Sequence, residues 1–131
     1  MSLYVHPLVT PFDVTLVAYQ GATFRFQYAW KLKDSVGVLT PVNLTGCQAR
    51  ARFWAAAGDT APLFPNLTTE NSGIVLGGAL GTIELHISDE QTAVLPETKR
   101  GRWTLEIAWG DGDVTRLMEG LFQVRLSKAS G

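Results

Sequence analysis

The fold of this chain is decided by the stretch Gly21-Ala22-Thr23-Phe24-Arg25-Phe26-Gln27-Tyr28-Ala29-Trp30-Lys31-Leu32. From Phe24 onward its even positions are large and mostly aromatic, while its odd positions are small or polar. Alternation with a period of two residues is typical of a strand with one buried and one exposed face. The pattern predicts a strand whose inward side chains lie between two sheets, namely Phe24, Phe26, Tyr28, Trp30 and Leu32.

The same alternation recurs along the chain and predicts seven to nine short strands. The main ones are expected at 13–19, 47–54, 74–76, 82–87, 102–109 and 114–126. Gly110-Asp111-Gly112 is a strong hairpin signal, and Gly120 indicates a bulge or a close backbone approach. Ser88-Asp89-Glu90-Gln91 fits a capping box, which predicts one short helical turn near 89–95 that Pro96 ends.

Strands with one polar face pair antiparallel and must stack in two layers to cover their apolar faces. The sequence therefore predicts an all-β fold, an antiparallel β-sandwich of the immunoglobulin-like type. A small barrel is the alternative architecture.

Composition narrows the class of protein. At 131 residues the chain is expected to form one domain at 13–131, preceded by an extended arm at 1–12. Eleven basic and twelve acidic residues are spread along the chain without a basic run, which argues against nucleic-acid binding. Apolar segments fall short of the roughly 18 residues that suggest a membrane span, and the first residues do not read as a secretory signal. The single cysteine, Cys47, excludes an internal disulfide.

The arm at 1–12 is apolar but contains Pro7 and Pro11, which favour an extended conformation. It is either a loose terminus or an arm that docks on its own sheet or on a neighbouring subunit. Leaving its large apolar side chains in water is costly, so docking is favoured. The partner-contacting residues expected there are Leu3, Tyr4, Val5, Leu8, Val9 and Phe12.

The irregular stretch at 55–72 is longer than an ordinary connection, which often marks a functional loop. Interfaces are enriched in aromatic residues and arginine, so we expect Tyr19, Arg25 and Trp54 to join the loop in a partner interface. Arg25, Arg50 and Arg52 together suggest a basic patch, although a solvated face is the simpler interpretation.

Catalytic and metal-binding signatures are weak. His86 and Glu84 share the outward face of one predicted strand, but no third metal ligand has a recognisable spacing. Asp111 and Asp113 resemble the start of a calcium loop whose twelfth position is Phe122 instead of glutamate. Glu84 and Glu106 would form a carboxylate pair only if their strands were neighbours. We therefore expect a protein that is not an enzyme and that uses no cofactor, metal or small-molecule substrate.

Several segments in order resemble a known family. They are Gly21-Ala22-Thr23-Phe24, Val42-Asn43-Leu44-Thr45-Gly46-Cys47-Gln48-Ala49-Arg50-Ala51-Arg52, Gly81-Thr82-Ile83-Glu84-Leu85, Trp103-Thr104-Leu105-Glu106-Ile107 and Val114-Thr115-Arg116-Leu117-Met118-Glu119-Gly120. The most specific element is Pro41-Val42-Asn43-Leu44-Thr45-Gly46. Together, over roughly residues 13–127, they resemble small structural proteins of tailed bacteriophages, akin to the N-terminal domain of siphophage baseplate upper proteins.

This resemblance implies a β-sandwich module that attaches virion components to each other in the tail or baseplate region. Its partners would be other virion proteins and copies of itself, and its location would be the virion after synthesis in the host cytoplasm. A capsid decoration or head–neck protein is the alternative within the structural class. A carbohydrate-binding module is the alternative from a different class, because β-sandwiches often present aromatic side chains to sugars.

Overall fold

The computed structural model describes residues 11–126. Within this range the chain forms eleven strands, one α-helix and one 3-10 turn at Gly78–Leu80. The strands are β1 (Phe12–Asp13), β2 (Leu16–Tyr19), β3 (Phe24–Ala29), β4 (Lys31–Lys33), β5 (Leu39–Pro41), β6 (Gln48–Trp54), β7 (Leu67–Thr68), β8 (Ile74–Leu76), β9 (Thr82–Ile87), β10 (Thr98–Ala108) and β11 (Val114–Arg125). Helix α1 spans Asp89–Ala93.

The strands form a large sheet, a small sheet and a separate two-stranded ribbon. The large sheet has the order β1–β11–β10–β6–β7, and β2 also pairs with β11. The small sheet has the order β3–β9–β8, and β4 pairs with β5 in the ribbon. Neighbouring strands are antiparallel except that β1 and β2 run parallel to β11. This confirms the predicted all-β, sandwich-like fold, whereas its immunoglobulin-like type stays a prediction.

The core lies between the two sheets and is rich in aromatic side chains. Trp103 on β10 contacts Phe26 of the small sheet edge-on, at 6.2 Å between ring centroids. Phe53 on β6 stacks on Trp103 at 6.2 Å and meets Phe122 on β11 at 4.7 Å. Aromatic pairs at such distances stabilise a core beyond the area that they bury. The alternation at 47–54 and 102–109 therefore predicted the inward residues of both strands.

The stretch that decides the fold differs from its prediction at one end. Its strand is not continuous to Leu32, because β3 ends at Ala29 and β4 begins a separate ribbon at Lys31. Trp30 is buried, and its N–H donates to the carbonyl of Gly81 while its own carbonyl accepts from Val42 N–H. Trp30 is therefore the residue at which the chain passes from pairing along β9 to pairing with β5. The prediction that Leu32 is buried is wrong, since it lies beyond this turn and is exposed.

The first predicted strand is divided where it crosses Gly120. β1 and β2 lie on either side of Val14 and Thr15, and the carbonyl of Val14 accepts a hydrogen bond from the Trp103 indole N–H at 2.8 Å. A Cβ atom at Gly120 would overlap this carbonyl oxygen. The close approach expected at Gly120 is confirmed, and it lets the N-terminal strand follow the last strand. Seven to nine strands were expected and eleven are present within residues 11–126, because two predicted strands are divided and because the short strands β5 and β7 were not among the main strands predicted.

Two local predictions are confirmed in detail. The Ser88 hydroxyl accepts a hydrogen bond from Gln91 N–H, and the Gln91 side chain accepts one from Ser88 N–H, which completes the capping box of α1. The turn at Gly110-Asp111-Gly112 joins β10 to β11, with Gly112 at φ +98°. Glycine adopts this left-handed conformation without strain.

The stretch at 55–72 is only partly a surface loop. Leu67 is buried on β7, and Phe64 stacks on Phe53 at 4.8 Å. Asn71 closes the second half, because its side-chain oxygen accepts from Thr68 N–H and its amide donates to the carbonyl of Asn66. The part around Phe64 and Leu67 therefore belongs to the sandwich, whereas most of 55–62 and the turn at 70–72 are exposed.

Candidate interaction surface

The outer face of the large sheet carries a cluster of charged side chains that form ion pairs across three neighbouring strands. Strand β6 alternates, so Ala49, Ala51 and Phe53 face the core while arginines face outward. Strand β10 does the same and sends arginine, threonine and glutamate outward. We call this surface the arginine face and define it by Arg50, Arg52, Trp54, Arg102, Glu106, Arg116 and Glu119.

Glu106 is the centre of the ion pairs on the arginine face. It lies opposite Arg50 on β6 and Arg116 on β11. The Nη2 atoms of Arg50 and Arg116 approach its two carboxylate oxygens to 2.7 Å and 3.4 Å. Burial raises the pKa of Glu106, but hydrogen bonds and charge from these arginines outweigh that effect and lower it overall. Glu106 therefore acts as a fixed anion that holds two arginines in place.

Some guanidinium nitrogens on the same face have no hydrogen-bond acceptor among residues 11–126. Within residues 11–126, Arg52 and Arg102 form no ion pair, and the Nε atoms of Arg50 and Arg52 are buried without a hydrogen-bond partner. Buried polar groups are normally paired, so an orphaned one needs an explanation. The guanidinium fork of arginine matches a carboxylate in a bidentate manner. The buried Nε atoms are out of reach of a partner, but Arg52 and Arg102 are only half-buried, so the rest of their guanidinium groups can meet acceptors from outside.

A shallow cleft of about 300 Å³ opens beside these arginines. It is lined by the half-buried Trp54, by Arg102, Arg116 and Glu119, and by the turn at 56–59. Arg102 lies directly opposite Trp54 in the strand register. An aromatic side chain beside arginine is a frequent anchor in protein interfaces. The position of Trp54 agrees with the role expected for it, which stays a prediction.

The remaining interface residues predicted from the sequence are dispersed. Tyr19 is exposed at the edge strand β2, and Phe12 on β1 is exposed yet contacts Tyr28 at 5.9 Å. Arg25 lies on the small sheet, where its Nη1 binds Glu84 Oε1 at 2.8 Å. The predicted residues Leu3, Tyr4, Val5, Leu8 and Val9 of the arm lie outside the described residues.

The basic patch suggested by Arg25, Arg50 and Arg52 does not form. Arg25 projects from the outer face of the small sheet, whereas Arg50 and Arg52 project from the opposite side of the sandwich. Alternation shows that a side chain points outward but not to which of the two sheets its strand belongs. Arg102 and Arg116 take the place of Arg25 beside the two β6 arginines. Cross-strand register is the signal that would have identified them, and a single sequence does not give it.

The structure also bears on the catalytic and metal-binding sites that the sequence suggested. Glu84 and Glu106 lie on different sheets, so the carboxylate pair does not form. Hydrogen bonds from Gln27 and Arg25 lower the pKa of Glu84, opposite to the shift that a general acid needs. His86 shares the outer face of β9 with Glu84 as expected, and within residues 11–126 no cluster of three or more metal-ligating side chains occurs. Asp111 accepts the N–H of Asp113 in the β10–β11 turn.

The comparisons with protein families and with curated proteins do not assign the chain to a family. No protein-family model matches the chain, and a comparison with curated proteins finds no significant match. Among residues 11–126 no helix combines the length and apolar character needed to cross a bilayer.

Proposed function

We propose that this chain is a non-catalytic β-sandwich module that attaches protein components of a bacteriophage virion in the tail or baseplate region. The observation that carries the contact function is the arginine face, on which Arg52 and Arg102 form no ion pair within residues 11–126 and Trp54 lines an adjoining cleft. The phage assignment rests on the resemblance of the strand segments at 13–127. The chain acts by shape and surface contact, without a cofactor.

Arg52 and Arg102 are only half-buried and form no ion pair within residues 11–126, so the ends of their guanidinium groups are open to a partner. Guanidinium groups bind carboxylates in a bidentate manner. The arginine face therefore fits a partner protein that presents acidic side chains to it.

The position of the chain in intact particles tests the proposal that it is a virion protein. Antibody raised against the purified chain, applied to intact particles in immunogold electron microscopy, is expected to label the tail or its tip. Label on the head or neck would instead support the capsid decoration or head–neck alternative. Absence of the chain from purified particles would contradict a virion role.

Substitution on the arginine face tests the contact function. Arg52→Met removes the orphaned Nε while keeping the long apolar stem, so the free energy of unfolding is expected to change by less than about 1 kcal/mol or to increase. Incorporation of this variant into particles is expected to fall severalfold. Arg25→Met on the opposite sheet is the matched control and should be incorporated normally. Equal incorporation of both variants would contradict a role for this surface.

A glycan-array binding assay tests the alternative that the chain is a carbohydrate-binding module. The two large exposed aromatic residues within residues 11–126, Phe12 and Tyr19, project from edge strands of the large sheet. We expect no glycan binding. Saturable binding that is lost in Tyr19→Ala would contradict the proposed attachment role and support the sugar-binding alternative.

A further inference from the structure

The longest unpaired strand edge in the described part of the chain belongs to β3 and β4. Strand β3 has six residues and pairs only with β9, and β4 has three residues and pairs only with β5. The edge strands β1, β2, β7 and β8 have only two to four residues each. Short edge strands are one way in which natural sheets avoid pairing with other chains. The edge of β3 and β4 does not have this protection.

Strands β3 and β4 form one continuous edge, because their partners lie on the same side. Trp30 joins the two strands, and its N–H donates to the carbonyl of Gly81 while its carbonyl accepts from Val42 N–H. A residue of an antiparallel strand directs its N–H and its C=O to the same side. The even-numbered residues therefore bond to β9 and β5, and the backbone groups of the odd-numbered ones point to the opposite side. We call this opposite side the free edge and define it by Arg25, Gln27, Ala29, Lys31 and Lys33.

Two exposed lysines on the free edge lack an anionic partner. Within residues 11–126, Lys31 and Lys33 form no ion pair. Their cross-strand neighbours on the same face, Pro41 and Leu39, are uncharged. A strand added to the free edge therefore meets two positive charges that the described residues do not neutralise.

The opposite face of β3 and β4 is apolar and only partly covered. Phe26 and Tyr28 point toward the core but are half-buried, and Leu32 is 43% exposed. An additional strand beside them covers such side chains with its own residues on the same face. The edge thus fits a segment in which apolar and acidic residues alternate.

We propose that the free edge accepts an extended segment of a partner protein with alternating acidic and apolar residues, and that this segment adds one strand to the small sheet. Backbone hydrogen bonds to an exposed edge supply affinity in this mode of binding, and alternate side chains supply specificity. The acidic side chains lie opposite Lys31 and Lys33, because opposite charges across neighbouring strands are stabilising. The free edge is separate from the arginine face, so this inference goes beyond the proposed function and does not depend on it.

Charge favours a partner protein over a second copy or the arm of this chain as the occupant. Antiparallel pairing of the whole free edge with that of a second copy places Lys33 opposite Arg25, and like charges that face each other across strands are destabilising. The arm at 1–12 contains neither aspartate nor glutamate. The lysines therefore discourage pairing between copies and leave the edge open to an acidic strand.

Hydrogen exchange measured by NMR on the full chain tests where a strand adds. The probe is an acetylated peptide of alternating valine and glutamate that spans the free edge, and the control peptide has lysine in place of glutamate. The acidic peptide is expected to bind at least about tenfold more tightly than the control. It should slow exchange of the Ala29, Lys31 and Lys33 amides and leave the Tyr28 amide, which faces β9, nearly unchanged.

Three results of this experiment would overturn the proposal. They are equal affinity for the two peptides, protection of a different edge, and free-edge amides that are already protected before peptide is added. Protection that is independent of concentration would indicate the arm as the occupant, and protection that rises with concentration would indicate a second copy.

A proline substitution tests whether binding uses the backbone. Ala29→Pro removes one N–H of the free edge without removing a bond to β9, and proline is tolerated at such edge positions. It is expected to weaken binding of the acidic peptide at least about tenfold. Ala29→Thr keeps the N–H and should bind normally. Equal binding by the two variants, with circular dichroism showing that both are folded, would contradict strand addition.

Charge reversal tests the specificity. A Lys31→Glu, Lys33→Glu double variant should prefer the lysine peptide over the acidic one. Lys99→Glu, Arg100→Glu makes the same change in net charge at exposed positions of the large sheet and should keep the original preference. An unchanged preference in the first variant would overturn the proposal. Incorporation of arginine-face variants into particles is a separate measurement, so failure of this inference is distinguishable from failure of the proposed function.

Discussion

At the scale of single residues, Glu106 shows what alternation predicts and what it omits. Its outward position on β10 follows from the period of two residues. Its contacts with Arg50 and Arg116 do not, because Arg50 is 56 residues away in sequence and only strand register brings the two together. The sequence accordingly grouped Arg50 with Arg25, which lies on the other sheet.

The lowered pKa of Glu106 makes the stability of the chain depend on pH. Its ion pairs contribute fully above the unfolded-state pKa of about 4.3 and are lost as pH falls through the lower folded-state pKa. Glu106→Gln should cost roughly 1 kcal/mol near neutral pH and should flatten the loss of stability in acid. Urea unfolding at a series of pH values measures both. Glu97→Gln, at an exposed position, is the control, and an unchanged acid profile in Glu106→Gln would contradict this account.

Gly120 is a residue whose importance the sequence did indicate. Because a Cβ atom there would overlap the carbonyl of Val14, Gly120→Ala must displace β1 and β2 from β11. We expect a loss of about 2–4 kcal/mol in the free energy of unfolding. Gly110→Ala is the matched control, since a Cβ atom there would meet only the Gly46 carbonyl at 3.9 Å. Equal stability of the two variants in chemical denaturation would count against the close packing of the N-terminal strand.

At the scale of elements, the sequence predicted faces better than it predicted ends. Phe24 and Trp30 are buried as the opening pattern requires, while Phe26 and Tyr28 are half-buried. The same pattern continues through Leu32, although from Lys31 onward the chain pairs with β5 and no longer with the small sheet. Periodicity indicates in which direction a side chain points, but it does not predict the long-range hydrogen bonds that determine where a strand ends.

The second half of the stretch at 55–72 gives a test at the same scale. Phe64→Ala removes a half-buried ring that stacks on Phe53 and also contacts Phe122 at 6.2 Å. Full burial of phenylalanine is worth about 3–5 kcal/mol on truncation, so about 2 kcal/mol is expected here. Protease cleavage within 55–72 should become faster. Thr60→Ala, in the exposed half, should change neither quantity, and a Phe64→Ala variant as resistant as the original would contradict the packing of this loop.

At the scale of the whole molecule, the sandwich separates two surfaces of different character. The large sheet presents arginines around Glu106, and the small sheet presents Gln27 and the Arg25–Glu84 ion pair. Amphipathic strands predicted two layers from the sequence. The assignment of each strand to a layer, and hence the composition of each outer surface, depends on pairings between distant segments that periodicity alone does not specify.

The most direct test of the central claim is a cryo-electron microscopy reconstruction of the assembled particle that resolves side chains around this module. We predict that the sandwich lies in the tail or baseplate and that a neighbouring protein covers Trp54, with its acidic side chains against Arg52 and Arg102. A particle in which this surface faces open solvent, or which lacks the chain, would contradict the claim.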